Sequence, residues 1–446
     1  MKRLGLFFLG LLVTAGYAES AANPTSHYTL DNGLQLYVVE DHRAPLAWFQ
    51  IWYKVGSSDE KTGLTGIAHA LEHMMFKGTD KYQDGAIWRL VKENGGVQNA
   101  FTSRDYTCYW QRFPTDKIAL SFDIESDRMQ HLTVHSQAFE KEQQVITEER
   151  RMRVEDNPFA LANEQFSAAL MVATPYQHPI IGWQRDIMNI TATDMQQWYD
   201  AWYTPNNATI VVAGDVQPEK MLALANQYFG SIPTRALPAH INLSPVPQLG
   251  EKSLLVKAAA SVPSIATGVA VPTLVTASGA DKSTVYALSL LDQVLSGGRS
   301  AFLVKRLVRD KQVAASAGSY YNPFAKYDTE FVWYAIPTPK TEVDKVRVAL
   351  ASAIDDIKQQ PIDAALLAQA KAQFVAGARF EKESPGDRAQ LTGMLASVGL
   401  SMAEYEAFLQ GVQQVTAQDL QRAAQRFFTA NQQVTSTLQP LAQAKK

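Results

Sequence analysis

Apolar and polar positions change period several times along this chain. Leu34-Gln35-Leu36-Tyr37-Val38-Val39 is a β-type run, as are Ala208-Thr209-Ile210-Val211-Val212, Ser253-Leu254-Leu255-Val256 and Gln433-Val434-Thr435-Ser436-Thr437-Leu438. Long stretches of helical period lie between them. Leu64, Ile67, Ala68, Leu71, Met74, Met75 and Phe76 fill most sides of one segment, which predicts a helix buried nearly all round. Residues 139–151 predict a charged helix, 288–298 a helix closed by glycines, and 300–311 another helix. Residues 231–250 break the pattern with Pro233, Pro238, Pro245 and Pro247, as a linker does. On either side the layout repeats: β-type runs, then helices, then a closing β-type run. We therefore expect an α+β protein of two similar domains, 19–232 and 251–446, joined by a proline-rich linker at 233–250.

The N-terminus departs from this layout. Lys2 and Arg3 precede an apolar run from Leu4 to about Val13, and Gly16 and Ala18 then supply small residues. This is the form of a secretory signal peptide at residues 1–18, too short to span a bilayer. Its removal takes two cations and no acids from a chain of formal charge −3, which argues against a nucleic-acid partner. No later segment is long and apolar enough for a membrane span, so no stable membrane insertion is expected after processing. The single Cys108, in the aromatic run Asp105–Trp110, cannot form an internal disulfide and reads as a buried thiol. Export without disulfides suits the periplasm of a Gram-negative bacterium.

Candidate chemistry is concentrated in His69-Ala70-Leu71-Glu72-His73. Two imidazoles four residues apart share one helix face, and Glu72 borders the same spot. Two imidazoles and one further carboxylate make a zinc site with an open position for water. Glu72 is then free to act as general base on that water. Glu142, Glu148 and Glu149 on the charged helix are candidates for the third ligand. Glu142 and Glu149 lie two turns apart on one face, with Val145 and Ile146 between them. One of them binds metal while the other supports an imidazole, or the helix is merely solvated; spacing alone does not decide. His131 and His135 have the same spacing with no carboxylate between them, and read as a helix face or a packing feature.

The HxxEH motif, followed 76 residues later by Glu149, resembles the inverted zinc motif of the M16 (pitrilysin, or inverzincin) metallopeptidases. Gly95–Thr102 with Asp105, Thr107 and Tyr109 resembles that family's substrate-edge strand. Trp202–Ala208 with Val211–Val216 resembles the end of its first domain. The resemblance implies two homologous domains in a clamshell, as in the mitochondrial processing peptidase. It implies one Zn2+ per chain on His69, His73 and Glu149, with Glu72 as base and Glu142 holding a ligand imidazole. Asn99, Ala100 and Phe101 would lie along an extended peptide substrate, and unfolded polypeptides would be preferred. Arg309 fits a second-domain arginine that reaches substrate. The tyrosine expected some seven residues later falls on Ala315 or Ser316, and Tyr320 and Tyr321 come too late. This departure implies either a heterodimer with a similar subunit carrying the Arg/Tyr pair, or a homodimer that manages without it. The alternative to a peptidase is a non-catalytic scaffold of the same family that retains its metal site.

Overall fold

The computed structural model describes residues 25–239, 246 and 248–441; the expected signal peptide lies outside them, as does part of the expected linker. Eleven strands form two sheets among these residues. The first holds β1 (Thr25–Thr29), β2 (Gln35–Glu40), β3 (Leu46–Tyr53), β4 (Val97–Thr102), β5 (Thr107–Pro114) and β6 (Ala208–Gly214), in the order β1-β2-β6-β3-β5-β4. The second holds β7 (Lys252–Ala258), β8 (Ser264–Val271), β9 (Ala314–Tyr321), β10 (Thr329–Pro337) and β11 (Val434–Pro440), in the order β7-β11-β8-β10-β9. Strand for strand, β7-β11-β8-β10-β9 repeats β2-β6-β3-β5-β4. The one parallel pairing falls at the same place in each, β2 with β6 and β7 with β11. The expected duplication is thus written in the topology. β4 and β9 are the corresponding open edges.

The halves interlock. β6 is buried at every position, which explains the apolar run Ile210–Ala213: both of its faces are covered. Ile210 and Val212 pack with the first half's own helices. Val211 and Ala213 pack with Ala389, on the helix Pro385–Ser397 of the second half, which lies across β2, β3 and β6. Reciprocally, the helix Pro158–Leu170 of the first half lies across β7, β8 and β11, where Phe166 and Leu170 join Val434. The clamshell implied by the resemblance therefore has halves that exchange a helix.

Polar ties reinforce the exchange. Arg388 pairs with the buried Asp41, Arg43 Nη2 donates to the Glu383 carbonyl at 2.5 Å, and Lys326 Nζ lies 3.2 Å from Asp59 Oδ1.

Three local expectations change. Val145 is half exposed, while Ile146 is fully buried, so Val145 does not share the inward face of its helix. The chain leaves the helix Ala119–His131 before reaching His135, so His131 and His135 do not share a helix face; His131 instead bonds Asp127. The segment expected to be an ordinary helix at 300–311 winds as a π-helix over Val304–Asp310. Cys108 is buried in β5, as expected, and burial pushes its thiol well up.

Candidate metal centre

The helix Ile67–Met74 starts at Gly66, whose φ of 91° favours glycine, and buries Ile67, Ala68, Ala70, Leu71 and Met74. His69 and His73 leave it on one side, with ring centroids 4.7 Å apart. The helix Ser136–Arg150 brings Glu149 against both rings. Glu149 Oε2 lies 3.2 Å from His73 Nε2 and 3.8 Å from His69 Nε2. One ligand atom from each of the three lies within 4.8 Å of the others. Zn–N and Zn–O bonds near 2.05 Å in a tetrahedron put ligand atoms about 3.3 Å apart, so this donor set fits zinc in both size and chemistry.

Glu148 is turned away: its carboxylate binds Arg151 on the exposed side of the helix. Of the two neighbouring glutamates, Glu149 is therefore the one that meets the imidazoles. Glu142 Oε1 lies 2.9 Å from His73 Nδ1, and Lys77 Nζ is 2.6 Å from its other oxygen. Arg153 Nη1 sits 2.7 Å from Glu149 Oε1. Arg153 lies four residues beyond Glu149, so the helical i,i+4 rule would have found it, whereas Lys77 meets Glu142 from another element and left no such signal.

Charge in the site is sharply divided. Burial pulls His73 down, but its hydrogen bonds with Glu142 and Glu149 outweigh this and hold it at about 9. His69, more deeply buried and beside a charged His73, falls to about 4. The bond with His73 holds Glu149 low. Glu142 is also low, because His73 and Lys77 outweigh its burial. Burial raises Glu72, partly offset by the hydroxyl of Thr102, whose Oγ1 donates to Glu72 Oε2 at 2.6 Å. A carboxylate whose burial favours its protonated form is suited to taking up a proton.

Thr102 ends β4, so Glu72 sits at the end of an open sheet edge. Along that edge Asn99 is exposed, and Ala100 and Phe101 are partly so. Asn99 Oδ1 accepts its neighbour's backbone N–H, from Ala100, at 2.9 Å. The structure thus brings His69, His73, Glu149, Glu142 and Glu72 together at one end of the Asn99–Phe101 edge.

Arg309 stands apart from this group. It is exposed on the π-helix of the second half, and among the described residues no hydrogen bond or ion pair fixes its side chain. Ala315 and Ser316 are both exposed on β9, at a register shift. Tyr321 is buried, and its hydroxyl donates to the Pro272 carbonyl at 2.5 Å. Tyr320 is half exposed beside Tyr106 and Arg104 of the first half.

The second half carries a counterpart that the sequence reading passed over. Its helix Lys282–Ser296 follows β8 as Ile67–Met74 follows β3. Ser289-x-x-Asp292-Gln293 with Gly298 repeats the spacing of His69-x-x-Glu72-His73 with Gly78. Ser319 Oγ on β9 donates to Asp292 Oδ1 at 2.5 Å, as Thr102 on β4 does to Glu72. The carboxylate and its hydroxyl partner remain, and both imidazoles are gone.

Comparison with known proteins identifies the family. The family model described as insulinase (peptidase family M16) matches residues 36–183, and that of the M16 inactive domain matches residues 189–374. The chain is 30% identical over 450 residues to the zinc protease PqqE of Helicobacter pylori, covering 99% of both. It is also 30% identical over 341 residues to an uncharacterized zinc protease of Mycobacterium leprae, covering 74% of this chain and 73% of that one. Among solved structures, a protease from Helicobacter pylori superposes with a TM-score of 0.87 at 28% identity, covering 94% of this chain and 100% of that one. The periplasmic protease PqqL of Escherichia coli shares the fold at 19% identity, with a TM-score of 0.79 over 95% of this chain and 50% of that one. The chain belongs to the M16 peptidase family and is a metallopeptidase of its bacterial two-domain type.

Proposed function

We propose that this protein is a periplasmic zinc endopeptidase that cleaves extended peptides and unfolded polypeptides. His69, His73 and Glu149 hold one zinc ion, and Glu142 fixes the ring of His73. When bound, zinc supplies a water acidic enough to ionise near neutral pH and polarises the scissile carbonyl. Glu72 takes the proton of the attacking water and returns it to the leaving amine, while Thr102 holds the carboxylate in place. The substrate adds itself as a strand to the edge of β4. Its backbone displaces the Asn99 carboxamide from the Ala100 N–H, and Phe101 lines the path. Main-chain pairing of this kind asks little of substrate sequence, so unfolded chains are favoured over folded ones.

One observation carries the reading: three candidate ligand atoms and a spare, partly buried carboxylate meet at the end of an open sheet edge. The signal-like residues 1–18 support export. Among the described residues no helix is long and apolar enough to cross a membrane. The absence of a phenol at Ala315 and Ser316 supports a need for a related subunit that carries the tyrosine; the alternative is a homodimer that manages without it. The division between halves is placed in residues 233–250.

The test separates metal from base. Glu72→Gln should bind one zinc per chain and lose hydrolysis of an unstructured peptide by about 10²-fold or more. Parental turnover in that variant would refute the assignment.

A further inference from the structure

The helix that carries both histidines has no cap of its own. Gly66 has no side chain to offer the first backbone N–H groups, and such groups need partners when buried. A distant residue supplies them. Glu60 Oε2 accepts from the Gly66 N–H at 2.8 Å, and Oε1 accepts from the Ala68 N–H at 2.9 Å. The Glu60 carboxylate is completely buried. It thus fixes the first turn of the helix one residue before His69.

Glu60 is in turn held through its neighbours, and the holder belongs to the other half. Asp59 Oδ1 lies 3.2 Å from Lys326 Nζ. Ser58 Oγ donates to Asp105 Oδ1 at 3.0 Å, and the Lys326 backbone N–H donates to Asp105 Oδ2, also at 3.0 Å. Tyr176 closes the knot: its hydroxyl donates to Asp105 Oδ2 at 2.6 Å and accepts from the Tyr327 N–H at 3.1 Å. The short turn Ser57–Asp59 is therefore gripped on one side by the loop between β9 and β10. On its other side it delivers Glu60 to the helix.

The second ligand helix has a similar tie. Arg150, next to Glu149, forms a two-pronged ion pair with Glu164 at 2.8 and 2.9 Å and donates to the Gly182 carbonyl at 2.7 Å. Glu164 lies on the exchanged helix that rests on the second sheet.

We infer that Glu60 is a positioning residue for the zinc ligands, and that the second half, through Lys326, sets the geometry of a metal site to which it contributes no ligand. This rests on the metal site proposed above. A half without imidazoles then has a defined effect on the chemistry: it registers the first turn of the ligand helix.

The experiment uses the full chain and reads metal rather than turnover. Zinc affinity is measured by competition with a chelator, and site geometry by the visible absorption of the Co2+-substituted protein. Glu60→Gln keeps shape and volume but turns an amide N–H2 toward a backbone N–H. It should lose about 10–100-fold in zinc affinity, the range for groups that orient metal ligands, and shift the cobalt bands. Lys326→Met, in the other half, should weaken zinc in the same direction by at least 3-fold, and Lys326→Arg should restore it. Arg388→Met cuts a different tie between the halves, at Asp41; it should lower the melting temperature and leave zinc affinity within 2-fold of the parent. If Glu60→Gln fails to fold, the lysine series decides alone.

Parental affinity and cobalt bands in Glu60→Gln or in Lys326→Met would overturn the inference. So would equal weakening of zinc by Arg388→Met, which would mean general loosening. A parent protein that binds no zinc, or binds it equally well as Glu149→Ala, would overturn the proposed site itself and this inference with it.

Discussion

Two glycines in helix interiors should respond to the same substitution with opposite signs. Gly377 lies in the helix Ala364–Phe380, is exposed, and would place an added Cβ within 4 Å of nothing. Gly377→Ala should therefore stabilise the protein by about 0.5–1 kcal/mol, the ordinary gain from restricting a helical glycine. Gly393 lies in Pro385–Ser397, the helix that the second half lays on the first sheet. A Cβ there would sit 2.1 Å from Trp52 Nε1 and 2.2 Å from its Cε2. Ordinary carbon contacts begin near 3.5 Å, so the overlap is about 1.3 Å.

Trp52 has no room to yield. It is fully buried, its Nε1 donates to Gln50 Oε1 at 3.0 Å, and its ring meets Phe101 and Tyr106 edge-on at 5.5 and 5.1 Å. Either the helix lifts from the sheet or the indole turns and breaks its bond. Overpacking costs about 1–3 kcal/mol, and stranding a buried amide costs about 1–3 more. Less the helical gain, Gly393→Ala should destabilise by about 1–5 kcal/mol. Urea unfolding followed by circular dichroism measures both variants. Because Trp52 touches Phe101 on the proposed substrate edge, Gly393→Ala should also raise KM for peptides. Equal stability of Gly393→Ala and the parent, within about 0.5 kcal/mol, would refute the interlocked packing.

Other outcomes follow from the metal site. Glu149→Ala should abolish tight zinc binding, whereas Glu148→Ala, which removes one of the two carboxylates on Arg151, should leave it within 2-fold; equilibrium dialysis showing the reverse would move the ligand by one residue. His73, held at about 9, is protonated in the metal-free site at neutral pH and must lose that proton to bind metal, so zinc binding should release close to one proton at pH 7 and apparent affinity should rise as pH approaches 9. Calorimetry in buffers of different ionisation enthalpy reads this directly, and release of no proton would contradict it. Ser316→Tyr, on the exposed stretch of β9, should raise peptidase activity if the missing phenol limits the isolated chain; no gain there, none in Ala315→Tyr and no second subunit would mean that the second half has been misread.

What the sequence revealed was what repeats locally. His69, Glu72 and His73 share a helix face because 3.6 residues make a turn, and a period is visible in a string of letters. Strands such as β6 came through as β-type runs: Ile210–Ala213 is continuously apolar because two layers cover it. Glu148 and Glu149 could not be separated by spacing, since they differ by one position on a helix whose inner face depends on what it packs against. The structure separates them through the Glu148–Arg151 pair. Glu60 left no local trace, because the groups it caps belong to a helix that begins after an intervening loop. The helix exchange is also invisible locally: Gln50 meets the Gly386 carbonyl across 336 positions.

The second half has the same framework of helix and edge strand without the imidazoles. Replacing both imidazoles by Ser289 and Gln293 removes the ligands, yet Asp292 and Ser319 hold the places of Glu72 and Thr102. Among the described residues no cation pairs with the Asp292 carboxylate. Burial pushes Asp292 up to about 6, and the Ser319 hydroxyl only partly offsets this. Its interactions are those of a tie between helix and edge strand: Ser319 also donates to the Asp292 carbonyl at 3.3 Å and lies 3.2 Å from Ser296 Oγ. The same pair thus joins the same two elements in each half, and only in the first are there imidazoles nearby to give the carboxylate chemical work. The second half is then free to serve as support. It lays one helix on the back of the first sheet, seats another beneath its own, and holds Asp59 through Lys326. On this reading the lack of a ligand set in one half and the close packing around the proposed set in the other belong together. A half with no ligands to align can be shaped entirely by the half that has them.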